Sequence, residues 1–233
     1  MRGRRLILTA AAALLALLVA ACGGSSSSSS SGNGVATKTA NQIVAQSTKA
    51  INGVQSVKVS GSVKDGSDLI KLDLSLENGK GATGSMSENG LSFKLITVGG
   101  EAYINGSAGF WKHFGGTAAV QLLKGRWLRA PSGSGDFASF ASLTNVHKLL
   151  SALLEGHGAL TRGATSTVDG TPVIAVHDTS KGGTLYVATS GDPYPIQITN
   201  NGTQGGQLDF SAFNQPVTLT APAQSIDISK LGK

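Results

Sequence analysis

Apolar and polar residues alternate along much of the chain. Val57, Val59, Gly61 and Val63 alternate with Ser56, Lys58, Ser60 and Ser62. Ile70, Leu72, Leu74 and Leu76 alternate with Lys71, Asp73 and Ser75, and Leu91, Phe93 and Leu95 with Ser92 and Lys94. A period of two gives each strand one apolar and one polar face, the pattern of an antiparallel sheet covered on one side. Asp65-Gly66, Asn78-Gly79, Asn89-Gly90, Gly99-Gly100 and Asn105-Gly106 separate the runs. Such dipeptides suit tight hairpin turns, whose central residues take positive φ. Strands are therefore predicted over 54–64, 68–78, 81–88, 91–98 and 101–105. A second set is predicted over 160–168, 172–179, 183–189, 195–200 and 206–213, with 217–220 and 225–228 as candidates for a last extended edge.

Helical spacing interrupts this pattern in a few places. Thr39 and Gln42 fit a capping box, and Ala40, Ile43, Val44, Ser47 and Ile51 then recur on one face, so a helix is predicted over 39–51. A short helix is expected over 117–124, ending at Gly125. Another is expected after Asp136, with Phe137, Phe140 and Ala141 on one face. The clearest is 145–155, where Val146, Leu149, Leu150, Leu153 and Leu154 form one apolar stripe. Glycine, 32 of 233 residues, favours turns over long helices. The fold class expected is α+β, mostly antiparallel β. One large curved sheet of about 10–11 strands wraps the N-terminal helix and two to three central helices, because its apolar face must be covered.

The first residues have a different character. Arg2, Arg4 and Arg5 precede a short apolar run that ends in Val19-Ala20-Ala21-Cys22. A basic start, an apolar stretch and small residues before a cleavage point make a secretory signal peptide, here 1–21, with cleavage between Ala21 and Cys22. Residues 6–21 number 16, short of the roughly 20 that a membrane-spanning helix needs. The last four residues match a lipobox, so Cys22, the only cysteine, is expected to carry diacylglycerol and an N-acyl chain. The Ser/Gly-rich residues 22–36 read as a flexible tether, and 37–233 as a single domain. The formal charge of +6 includes the three signal arginines, so the mature chain has 16 basic and 13 acidic residues, or +3. There is no Lys/Arg cluster with interleaved aromatics, so nucleic-acid binding is not expected.

A resemblance follows from the order of these features. After the lipobox and tether come Gln55-Ser56-Val57 at a strand start, Gly99-Gly100-Glu101-Ala102-Tyr103, and Trp111-Lys112. Leu-rich helices, Tyr194-Pro195-Ile196, Phe213-Asn214-Gln215-Pro216-Val217 and Ala221-Pro222 complete the series. The chain resembles the LppX/LprG group of actinobacterial lipoproteins, which share the LolA-like fold, over roughly 39–228. The resemblance implies a half-barrel of antiparallel strands with helices in its concavity. It also implies an apolar gap that holds acyl chains of lipids or glycolipids, and a role in moving lipid across the envelope.

Searching for chemistry leaves few candidates. Gly79-Lys80-Gly81-Ala82-Thr83-Gly84 matches G-x-G-x-x-G in letters, but that motif needs a helix after it, and Asn89-Gly90 cuts off any helix here. No G-x-S-x-G elbow and no His-Glu-x-x-His occur. His113, His147, His157 and His177 stand apart in sequence, so no metal and no catalytic residue is expected. The expected function is a membrane-anchored, non-enzymatic lipoprotein on the extracytoplasmic face, a monomer that binds a lipid, glycolipid or acylated ligand. The alternative is an envelope sensor or protein-interaction module on the same fold. The candidate apolar cavity comprises Ile70, Leu72, Leu74, Leu76, Phe93, Leu95, Tyr103, Trp111, Trp127, Phe137, Phe140, Val146, Leu149, Leu150, Leu153 and Leu154. Trp111 and Trp127 flank a Gly-rich segment in which Gly115-Gly116 supplies a hinge.

Overall fold

A computed structural model describes residues 32–133, 143, 145–202 and 205–231. The expected signal peptide, Cys22, most of the expected tether and the helix expected after Asp136 lie outside them. Ser31–Lys233 clusters as one compact unit.

The chain enters this unit earlier than its composition suggests. Val35–Thr37 forms a 3-10 turn, and Val35 is fully buried against Ile43 and Ile174. Residues 33–36, expected to belong to the tether, are thus part of the folded unit. Helix α1 (Ala40–Ile51) follows, with both hydrogen bonds of the Thr39/Gln42 capping box in place. A meander of β1 (Ser56–Asp65), β2 (Asp68–Glu77), β3 (Gly81–Glu88), β4 (Leu91–Val98) and β5 (Glu101–Gly106) comes next. Helix α2 (Ala108–Leu123), β6 (Leu128–Pro131) and helix α3 (Val146–Glu155) lead to β7 (Leu160–Val168), β8 (Thr171–Asp178), β9 (Gly183–Ala188), β10 (Pro195–Asn200), β11 (Gly206–Ser211) and β12 (Ile226–Asp227).

All twelve strands join one sheet in the order β12-β6-β5-β4-β3-β2-β1-β11-β10-β9-β8-β7. Every pairing is antiparallel except that of β12 with β6. The two meanders meet where β1 pairs with β11, through Val59↔Phe210 and Gly61↔Leu208. The turn signals act as expected: Asn89-Gly90 (φ 49 and 84) and Asp169-Gly170 (φ 46 and 79) both take the left-handed conformation that a tight hairpin needs.

Four expectations need correction. The helix expected over 117–124 is present to Leu123, but a further helical segment capped by Ser107 precedes it from Ala108, the two meeting at the non-helical Gly116. The short strand β6 was not predicted, and it brings the sheet to twelve strands. The strand predicted to 213 stops at Ser211, since Ala212 (φ 50) and Asn214 (φ 59) leave the extended region. Residues 217–220 form no strand, and only Ile226–Asp227 of the proposed edge pairs.

The inner face is closely packed at its centre. Val57, Val59, Leu74, Leu76 and Phe210 pack against Val146, Leu150 and Leu154 of α3. A second cluster joins α1 to Ile174, Val176 and Val187, and a third joins α2 to Leu95, Ile104 and Leu128.

Candidate functional site

Helix α2 is the unusual element. Of its sixteen residues only Lys112 is charged, and only Trp111 and Leu123 are buried. Ser107 Oγ accepts the Phe110 N–H at 3.2 Å, which starts the helix. Gly116 (φ 66, ψ −163) breaks it in the middle, a conformation open to glycine.

Beneath α2 the inner faces of β4, β5 and β6 bound a hollow of about 330 Å³. Phe93, Ile104, Phe110, Trp111, Leu123 and Leu128 line it, and Phe114 and Ile228 border it. An aromatic row forms one wall: ring centroids lie 5.0 Å apart for Phe93–Phe110, 4.9 Å for Phe110–Trp111 and 4.7 Å for Phe110–Phe114. The row can seat on the sheet because Gly106 faces it. A Cβ there would come within 2.4 Å of Phe110 Cδ1 and 2.9 Å of Trp111 Cε2. The Trp111 indole N–H is buried and meets no hydrogen-bond acceptor among the described residues.

A smaller hollow of about 200 Å³ lies beyond the C-terminal end of α3, with Leu154, Leu160, Val176, Leu185 and Ile198 among its lining and His157 and Lys181 beside it. Asp178 orders this corner. It accepts the N–H of Gly158 at 2.7 Å and those of Ser180 and Lys181 at 2.8 and 2.9 Å. These bonds, that of Gly158 foremost, hold its carboxyl below the usual aspartate range.

The candidate cavity residues thus divide into several groups. Phe93, Leu95 and Trp111 stand together under α2. Leu74, Leu76, Val146, Leu150 and Leu154 form the closed centre, with Leu72 and Leu149 packed against it and Ile70 half-buried on the same inner face. Leu153 is 40% exposed and borders the smaller hollow. Tyr103 and Trp127 are on the wrong side. Tyr103 pairs with Ile96 and Arg129, one step out of phase with Ile104, so it points to the outer face. Trp127 lines an outer-face groove with Lys94 and Ile96. Phe137, Phe140, Ala21 and Cys22 lie outside the described residues. Sequence reasoning missed Ile104, Phe110, Phe114, Leu123, Leu128 and Ile228. The i, i+4 spacing of Phe110 and Phe114 was the available signal.

The polar candidates do not converge. His147 Nε2 lies 2.8 Å from the Val54 carbonyl, and His177 Nδ1 lies 3.0 Å from Thr184 Oγ1. His113 stacks edge-on to Phe114, and His157 contacts the Gly158 carbonyl. Among the described residues no three His, Cys, Asp or Glu come together as metal ligands. Also among them, no helix is long and apolar enough to cross a membrane. Gly79 to Gly84 forms the β2–β3 turn and the start of β3.

The sheet with its inner helices has counterparts among solved structures. LprF from Mycobacterium bovis superposes with a TM-score of 0.59 at 18% identity, over 79% of this chain and 97% of that one. The chain shares the fold of LprF. The lipoprotein LppX from Mycobacterium tuberculosis aligns over 77% of this chain and 99% of its own, at 19% identity and a TM-score of 0.47. No model of a known protein family and no curated protein sequence matches the chain. The resemblance drawn from the sequence therefore holds at the level of the LprF fold: an α+β half-barrel, mostly antiparallel, with helices inside its curve.

Proposed function

We propose that this protein is a membrane-anchored lipoprotein that takes an acyl chain of a lipid, glycolipid or acylated ligand into the hollow beneath α2. The observation that carries the reading is the hollow itself, about 330 Å³ and walled by Phe93, Phe110, Trp111 and Leu123. Ligand pockets run from roughly 300 to 1,000 Å³, so this one suits a single chain. Each methylene moved from water into such a site gains about 0.8 kcal/mol. The Trp111 N–H, without an acceptor among the described residues, offers a donor to a ligand carbonyl next to the apolar chain, which would offset the cost of leaving it unsatisfied. Nothing in this mechanism requires a catalytic group. In the same reading, residues 1–21 are removed, Cys22 carries diacylglycerol and an N-acyl chain, and residues 22–31 tether a monomeric domain to the extracytoplasmic face.

Native mass spectrometry of the chain from Ser31 onward, expressed in bacteria and purified without detergent, tests the acyl-chain reading. A co-purified acyl lipid is expected, and Ala119→Trp, which fills the hollow, should remove it. Unliganded protein that takes up no fatty acid on titration would overturn the reading.

A second reading is favoured by the closed centre. Val146, Leu150 and Leu154 of α3 are buried against the sheet. A packed interior suits an envelope sensor or interaction module, whose sign is a protein partner recovered by crosslinking with no lipid bound.

A further inference from the structure

An apolar helix normally buries its circumference, in a core or in a membrane. Helix α2 is mostly apolar, with Lys112, His113, Thr117 and Gln121 as its polar residues beyond glycine, yet it buries only Trp111 and Leu123. Phe114 is 68% exposed and Leu122 40%. The C-terminal 3-10 turn extends the patch: Ile228 borders the same hollow as Phe114, and Leu231 follows it, both exposed. The rim of the hollow is thus an apolar surface.

The charges on the α2–β6 stretch itself have one sign. From Ala102 to Gly133 the chain has Lys112, Lys124, Arg126 and Arg129 and no acidic residue. Arg129 is paired with Asp227 across β6 and β12. Lys112, Lys124 and Arg126 are exposed and belong to no ion pair among the described residues, and Lys230 adds a further cation on the C-terminal turn. Glu88 is the acidic residue on the adjoining β3–β4 hairpin, opposite Leu91, which borders Gly109 of α2.

We infer that the α2 rim is a docking surface for an anionic lipid bilayer. Phe114 and Leu122 insert among the acyl chains, while Lys112, Lys124 and Arg126 meet the headgroups. This combination of aromatic and cationic groups is what binds an interfacial helix to charged membranes. The hollow then opens where acyl chains are, so a chain can pass into it without crossing water. That last step rests on the acyl-chain reading, whereas the docking does not.

The test uses the chain from Ser31 onward, which contains all three core clusters and no cysteine. A spin label is placed at Phe114→Cys and, as control, at Ser166→Cys on β7 at the opposite edge of the sheet. Both are checked for a cooperative melt. With phosphatidylglycerol vesicles, the label at 114 should gain oxygen collisions and lose contact with a water-soluble nickel chelate, and the label at 166 should not. Pure phosphatidylcholine should leave both in water. Each basic residue near an anionic surface adds roughly five-fold to partitioning, so Lys112→Gln, Lys124→Gln and Arg126→Gln together should weaken it on the order of 100-fold. A label at 114 that stays as wet with anionic vesicles as without them would overturn the inference. So would shielding at 114 that follows protein concentration without vesicles, which marks a second copy as the occupant. Vesicle binding with no acyl ligand in the mass spectrum would sink the proposed function and leave the docking surface standing.

Discussion

Tyr194 and Phe213 stack face to face, with ring centroids 4.3 Å apart and planes 13° from parallel. Tyr194 precedes β10 and Phe213 follows β11, so the stack joins two chain segments beside the first turn of β1. Asn214 completes the joint, donating from Nδ2 to the Tyr194 hydroxyl at 3.1 Å and accepting the Gln55 N–H at 2.7 Å. A double-mutant cycle with Tyr194→Ala and Phe213→Ala should give a coupling of about 0.5–1.5 kcal/mol in denaturant unfolding. Tyr194→Phe should keep that coupling and lose only the hydrogen bond, about 1 kcal/mol.

Two glycines flanking the start of α2 should respond in opposite directions. Gly106→Ala drives a methyl into Phe110 and Trp111 and should cost about 1–3 kcal/mol. Trp111 emission should shift with it, read in a Trp127→Phe background. Gly109→Ala meets Leu91 Cδ2 at 3.8 Å and Ser107 Oγ at 3.9 Å, both ordinary contacts, and should stabilise by up to about 1 kcal/mol through helix propensity.

Gly84 sits between Leu74 and Leu95 on the inner face. Its φ is 150, and a Cβ there would lie 2.0 Å from the Asp73 carbonyl oxygen. Gly84→Ala should destabilise by at least about 1–3 kcal/mol. Thermal unfolding checks this, and a melt within error of the parent would show that the strands separate easily at this point.

Asp227 accepts from Ser229 and Arg129, which pull its carboxyl from 3.8 down to about 2. A carboxylate depressed on folding adds stability that is complete above its unfolded value and is lost as pH falls through the folded one. The β6–β12 pairing should therefore hold above about pH 4 and loosen toward pH 2. Amide exchange at Ile226 and the Asp227 carboxyl shift follow it, and in Asp227→Asn the looseness should already be present at pH 7.

Most of the sheet was legible because it rests on local rules. Strands 81–88, 91–98, 160–168 and 195–200 end where predicted, each bounded by Gly, Asn or Pro turns. Helices α1 and α3 announced themselves by caps and stripes. What stayed hidden depends on the third dimension. Helix α2 shows no single stripe because Gly116 shifts its register midway, and Asn105-Gly106 made its start look like one more turn. β6 and β12 are short and gain their pairing only from each other and β5. Tyr103 was assigned inward because aromatic residues suit cavities, yet its phase against Ile104 sends it outward. The hollow therefore gathered neighbours such as Phe110 and Leu128 that no single run of sequence groups together.

Asn33 fastens the chain where it enters the fold, donating to the carbonyls of Ala188 and Gly191, while its own N–H reaches Thr189. By register Gly106, where α2 begins, stands level with Leu185 of β9, and Ala188 lies three residues further along that strand, roughly 10 Å away. Across the sheet the two points are separated by seven strand steps, from β5 to β9. The chain therefore enters the fold well to one side of α2, and changes in length or charge upstream of Asn33 should leave the hollow and its rim as they are.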